Sequence, residues 1–157
     1  MNALVIVKHL LEDEESPEEF LKGDFLKKPS IGVLDAFTAG FLEEALWETH
    51  DDLSGYARNL TLDDYEKIDA SSLITIETDC FNFQKEAAHL LTLATESAPA
   101  YDTSNAGRDF YRTRNNKPDG YFNKGPQPHW HELYLLARRY GKLELFVLGN
   151  GSIAAYS

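Results

Sequence analysis

Between Gly107 and Gly125 the chain reads GRDFYRTRNNKPDGYFNKG, which places Arg108, Arg112 and Arg114 beside Phe110, Tyr111 and Asp109. A guanidinium makes paired hydrogen bonds to phosphate or carboxylate and stacks on aromatic rings. The stretch therefore has the chemistry to hold an anionic ligand or a partner, and Lys117 and Lys124 extend its positive charge. Read as a strand, it places Arg108, Phe110, Arg112 and Arg114 on one face and Asp109, Tyr111 and Thr113 on the other. Asn116-Lys117-Pro118-Asp119-Gly120 is turn chemistry, with Pro fixing φ and Gly allowing a positive φ. Tyr121-Phe122 would begin the return strand of a hairpin. The candidate ligand- or partner-binding set is Asp109, Tyr111, Arg112, Thr113, Arg114 and Asn115. Three uses compete. Stacking plus positive charge suits single-stranded nucleic acid, bound through 108–124. Asp109 as base and Arg114 as charge stabiliser suit a small hydrolase or transferase of anionic substrates. In the third, the arginines pair with acidic helices of the same chain, and the segment is an edge hairpin.

Other reactive groups point less clearly to chemistry. His129 and His131 stand two apart, a spacing that does not bring them to one helical face. His50-Asp51-Asp52 has the composition of an acidic loop, which solvent satisfies. His89, Asp109 and Ser104 contain the residue types of a hydrolytic triad but no nucleophile-elbow pattern. Cys80, the lone cysteine, falls on an apolar helical stripe and reads as core. It excludes an internal disulfide and fits a reducing compartment. No metal site and no cofactor are expected from these patterns, and the absence of a complete catalytic motif favours a protein that is not an enzyme.

The charge is uneven. The net charge of the 157-residue chain is −11. Residues 1–66 hold 16 acidic and 5 basic residues, a net of −11, and residues 67–157 hold 10 of each. From Gly107 onward 8 basic residues face 4 acidic ones, a net of +4. An acidic front repels nucleic acid and membrane surfaces and favours basic partners. Glu12, Asp13, Glu14, Glu15, Glu18 and Glu19 form its densest part and a candidate partner face that mimics phosphate spacing. Ala3–Val7 lacks the basic lead-in of a signal peptide, and no apolar run approaches the ~20 residues that span a bilayer. The expectation is a cytoplasmic protein with no membrane partner.

The elements that must position these groups follow from periodicity. Ala3–Leu11 and Pro17–Leu21 read as short helices. The run 31–50 is the clearest helix of the front half: Ile31, Leu34, Phe37, Phe41, Leu42, Ala45 and Leu46 form one stripe, with Ser30 as cap. Thr61-Leu62-Asp63-Asp64 reads as a cap and first turn. A long helix, 72–97, carries Leu73, Ile76, Cys80, Phe83, Ala87, Leu90, Leu91 and Ala94 at threes and fours, with no Gly or Pro inside. Residues 100–106 read as a polar connector. A helix over 129–140 closes at Gly141. A strand over 143–148, a Gly149-Asn150-Gly151 turn and a strand over 153–156 make a hairpin. The fold class is α+β: N-terminal helices, one of them long, packed on a small C-terminal antiparallel sheet with one helix inserted. The whole, 1–157, reads as one domain, with 1–30 a candidate peripheral acidic helical arm.

The pattern G-x-D-F-Y-x-T-R-N at Gly107–Asn115, followed by Gly120 and Phe122, resembles a group of small uncharacterised proteins carried by phages and plasmids. Phe37–Trp47 and Asp79–Phe83 resemble the same group, so the likeness spans Phe37 to Tyr156. Asp109, Phe110, Tyr111, Thr113, Arg114, Asn115, Gly120 and Phe122 match its motif. Arg108 and Arg112 depart from it, where the group carries His and an apolar residue. The resemblance brings no established activity. It implies a mobile-element setting in a bacterial host cell and an accessory or anti-defence role. Together with the charge split, it makes the leading expectation a non-enzymatic accessory protein. Such a protein would bind a host or phage macromolecule and inhibit it through its acidic half.

Overall fold

The structure is a computed structural model that describes residues 34–49 and 58–157. The expected helices over 3–11 and 17–21 and the Ser30 cap lie outside these residues. Helix α1, Ala36–Trp47, begins later than the periodicity predicts, because Asp35 caps it: its carboxylate accepts from the Thr38 amide at 2.8 Å. Of the predicted stripe, Phe37, Phe41, Leu42, Ala45 and Leu46 are fully buried, Leu34 precedes the helix, and Ile31 lies outside the described residues. A 3-10 turn, Leu62–Lys67, starts at the predicted cap, where the Thr61 hydroxyl and the Asp64 carboxylate form a capping box.

The expected long helix is divided. Helix α2 runs Ala70–Glu86 behind an Asp69 cap, and α3 runs Ala88–Ser97. Ala87 between them has φ −99° and ψ 12°, yet Ala87 N–H still donates to Phe83 O and Leu91 N–H to Ala87 O, each at 2.8 Å. The amides of Ala88, His89 and Leu90 make no i→i−4 bond across the junction, so the ladder is interrupted there, with no Gly or Pro in the sequence to mark the kink.

The largest departure is at the arginine stretch. Thr103–Arg114 is a helix, α4, and not the first strand of a hairpin. Asp102, in the segment expected to be a connector, caps it by accepting from Asn105 N–H at 2.8 Å. Buried positions 106, 107, 109, 110, 111, 113 and 114 cover a broad helical face rather than alternate residues. Arg112 and Arg114 lie in the last turn, where positive charge opposes the helix dipole. No strand forms at Tyr121-Phe122, so the helix that follows is not inserted into a sheet. Within the intervening loop the positive φ falls on Asn116, Asp119 and Asn123 rather than on Gly120. Gly120 is required for space: a Cβ there would collide with Thr113 Oγ1.

Helix α5, Pro128–Arg138, has proline in its first turn and closes at Gly141 with φ 73°. Strands β1, Glu144–Val147, and β2, Ile153–Tyr156, pair antiparallel in the register Glu144↔Tyr156 to Val147↔Ile153. They form the expected hairpin, with Gly151 at φ 88°. The hairpin is pinned to the start of α2. Asp69 N–H donates to Ile153 O at 2.9 Å, and Ala155 N–H to Ser72 Oγ at 2.8 Å. The fold is α+β, with helices first and the two-stranded sheet last.

The core is a stack of rings between α1, α2 and α4. Phe83 and Phe110 stack at 4.2 Å, with Phe37, Phe41 and Tyr121 around them. Two glycines let α1 and α4 touch. A Cβ on Gly40 would strike Ser104 O, and one on Gly107 would strike Phe37 O. Backbone cannot yield there as a flexible side chain does. Gly107→Ala should therefore lower stability by roughly 2–3 kcal/mol in urea unfolding, whereas Gly149→Ala, with nothing within 4 Å, should cost well under that. Equal midpoints for the two variants would contradict the close approach.

Candidate functional site

A helical advance of about 100° per residue sends the groups of α4 in different directions, so the two predicted faces do not exist. Arg108 pairs with Glu43 of α1 and also donates to Asn105 Oδ1 at 3.2 Å. Arg112 donates to Glu44 Oε1 of α1 at 3.0 Å and to Asp109 Oδ1 at 3.2 Å. Arg114 has left the surface altogether, at 3% exposure. It donates to Asp79 Oδ2 at 2.9 Å, Gly141 O at 2.7 Å and Tyr140 O at 3.1 Å. Its guanidinium lies 5.2 Å from the Phe110 ring centre and 5.7 Å from that of Tyr140. All three arginines are thus paired inside the chain, two of them with front-half carboxylates, as the third expectation has it.

The remaining residues of the set are equally committed. Asp109 is 1% exposed. Its Oδ2 accepts from the Tyr101 hydroxyl at 2.6 Å and lies 3.3 Å from Lys124 Nζ. Burial pushes its carboxyl above the ordinary range, while Tyr101, Lys124 and Arg112 pull it back. Asp109 and Arg114 reach different partners on different sides of α4, so they do not converge on one substrate position. Tyr111 packs edge-on against Phe41, and burial pushes its phenol upward. Thr113 Oγ1 accepts from Tyr121 N–H at 2.9 Å. Asn115 acts as a surrogate strand partner: its Nδ2 donates to Leu143 O at 3.0 Å, and its Oδ1 accepts from Leu143 N–H at 2.8 Å. The predicted site residues are brought into one neighbourhood, but as the framework that joins α4 to α1, α2, α5 and the start of β1.

The other candidates separate. Glu12, Asp13, Glu14, Glu15, Glu18 and Glu19, with His50, Asp51 and Asp52, lie outside the described residues. His129 is buried against Trp130, 4.8 Å between rings, and His131 stacks on Tyr134. Among the described residues no group of three metal-ligating side chains assembles, and no hydrogen bond joins His89 or Ser104 to Asp109. Cys80 is fully buried, and desolvation pushes its thiol up, as a core residue requires.

Two features escaped the sequence reading. Glu77 is fully buried, and neither carboxylate oxygen has a hydrogen-bond partner among the described residues. Burial, with the nearby Asp35 charge, pushes it up to about 7. It sits between Ile76 and Cys80 on the apolar stripe, a position that periodicity marks as buried. The second is a cleft of about 420 Å³ between the end of α1 and the 3-10 turn. Glu43, Glu44 and Asp63 line it, Leu60 and Leu62 furnish its apolar lining, and Trp47 lies in it, 54% exposed.

Compared with family models, curated proteins and solved structures, the chain shows no match. No helix among the described residues is long and apolar enough to cross a membrane.

Glu77 gives a pH signature. A raised folded-state value means that its contribution is fully present below the unfolded value of 4.5 and is lost as pH rises through about 7. Glu77→Gln should therefore gain on the order of 2 kcal/mol over wild type at pH 8 and little at pH 4. Urea unfolding at both pH values checks this; parallel profiles for the two proteins would refute it.

Proposed function

We propose that this chain is a non-enzymatic binding protein of the phage- and plasmid-borne kind. It docks its acidic side on a basic surface of a host or phage macromolecule and blocks it. The observation that carries the reading is the Trp47 cleft. A half-exposed indole is held beside Glu43, Glu44 and Asp63, above Leu60 and Leu62. Such a cleft suits an arginine or lysine of a partner. The alkyl stem covers the leucines, the cation meets the indole face, and Asp63 supplies charge, since Glu43 and Glu44 already pair with Arg108 and Arg112. The front-half net charge of −11, from 16 acidic and 5 basic residues, would draw such a partner at long range. A surface that ordinarily holds nucleic acid has this chemistry, which is why an anti-defence role fits.

The internal pairing of Arg108, Arg112 and Arg114 weighs against nucleic acid bound through those side chains. One observation still favours that second reading. Phe122 is 64% exposed and lies 5.3 Å from Tyr134, over which Arg138 stacks at 5.7 Å. Rings beside a cation can hold a base and its phosphate. The hydrolase reading has the weakest support, since Asp109 and Arg114 diverge.

Trp47→Ala distinguishes these readings. Its side chain is half-exposed, so the urea midpoint should fall only modestly. Retention of a basic protein from host lysate should fall by roughly tenfold or more. Retention unchanged in the variant, or turnover of a phosphoester with no partner, would contradict the proposal. Salt-sensitive binding of single-stranded DNA lost in Phe122→Ala would favour the second reading.

A further inference from the structure

A different cleft, of about 580 Å³, lies between the last turns of α2 and α5. It is lined by Asn82, Lys85 and Glu86 on one side and by Leu136, Arg139 and Tyr140 on the other. Asn82, Lys85 and Glu86 share one face of α2, and Leu136, Arg139 and Tyr140 span the end of α5 and the turn after it. The volume is within the roughly 300–1,000 Å³ of small-molecule sites.

The charges are what set it apart. Lys85 and Arg139 make no ion pair or side-chain hydrogen bond with any described residue. By contrast, Arg108, Arg112, Arg114 and Lys124 all meet carboxylates. Glu86, the one carboxylate in the cleft, already accepts from the Tyr140 hydroxyl. Burial and Glu86 push the Tyr140 phenol upward, so it stays protonated and keeps donating. Tyr140 is itself fixed, its ring edge-on to Phe83 and Phe110 and its carbonyl held by Arg114 Nη2 at 3.1 Å. Two uncommitted cations thus line a cleft with one fixed wall, Tyr140, in a chain whose net charge is −11. Each lies at or beside the last turn of its helix and offsets that helix's dipole. That role requires only a position near the helix end and does not explain a shared cavity.

We propose that this cleft binds a phosphate monoester. A terminal phosphate carries about two negative charges at neutral pH, which matches the two cations. The Arg139 fork can take two oxygens, Lys85 a third, and the Asn82 amide can donate. Leu136 and the Tyr140 ring offer apolar surface to the organic part. The site is separate from the Trp47 cleft, and its fate is independent of the docking reading.

The test uses the full chain and amide chemical shifts, with adenosine monophosphate, adenosine and inorganic phosphate as probes. Adenosine monophosphate and phosphate should give saturable shifts confined to 82–86 and 136–140, and adenosine should give none there. Lys85→Gln combined with Arg139→Gln should weaken adenosine monophosphate at least about tenfold while lowering the urea midpoint only slightly, through the two lost helix-end charges. Equal shifts from adenosine, shifts elsewhere, no saturable response, or unchanged affinity in the double variant would each overturn the proposal.

Discussion

The fold turns on one buried cation. Arg114 sits at the end of α4 with its guanidinium against the Phe110 and Tyr140 rings. It satisfies Asp79 of α2 and two carbonyls beyond α5. Removing a guanidinium from water is costly unless its donors are met in good geometry. That requirement fixes where α2, α4 and the 140–141 turn stand relative to one another. A lysine cannot replace it, since an ammonium lacks the planar fork that reaches a carboxylate and two carbonyls together. Asn115, the next residue, then holds the start of β1, and Thr113 holds the loop after α4 through Tyr121.

The density of polar groups between Gly107 and Gly125 therefore has a structural cause. α4 touches α1 through Gly40 and Gly107, which brings Arg108 and Arg112 against Glu43 and Glu44. Of the residues in the G-x-D-F-Y-x-T-R-N pattern and the turn after it, Asp109, Phe110, Tyr111, Thr113, Arg114, Asn115 and Gly120 are buried, and Phe122 is exposed. A motif of this kind specifies how elements meet. The binding proposed for this chain is placed instead on neighbouring surfaces, the Trp47 cleft and the cleft of Lys85 and Arg139.

Local signals made part of this readable beforehand. The apolar stripe of α1, the Thr61 cap, the Gly141 stop of α5 and the Gly149-Gly151 hairpin each depend on side chains a few residues apart. α4 reads as a strand because Phe-Tyr-Arg-Thr-Arg has strand composition, while its cap, Asp102, lies in a polar run that reads as a connector. The partners that decide the matter, Glu43, Glu44, Asp79 and Gly141, are remote in sequence. Ala87 gives no sign of the kink because alanine is a strong helix former and neither Gly nor Pro stands near it. The pairing of Arg108 and Arg112 was foreseen as an alternative from charge imbalance alone. The Trp47 cleft was not, since it needs Leu60 and Asp63 folded back onto α1.

The most direct test of the architectural role of this stretch is urea unfolding of Arg114→Ala beside Arg108→Ala. Arg114→Ala strands Asp79 and the carbonyls of Tyr140 and Gly141, and should lose about 3 kcal/mol. Arg108→Ala removes a partly exposed pair with Glu43 and should lose about 1 kcal/mol or less. An Arg114→Ala protein that unfolds at the wild-type midpoint would contradict the account.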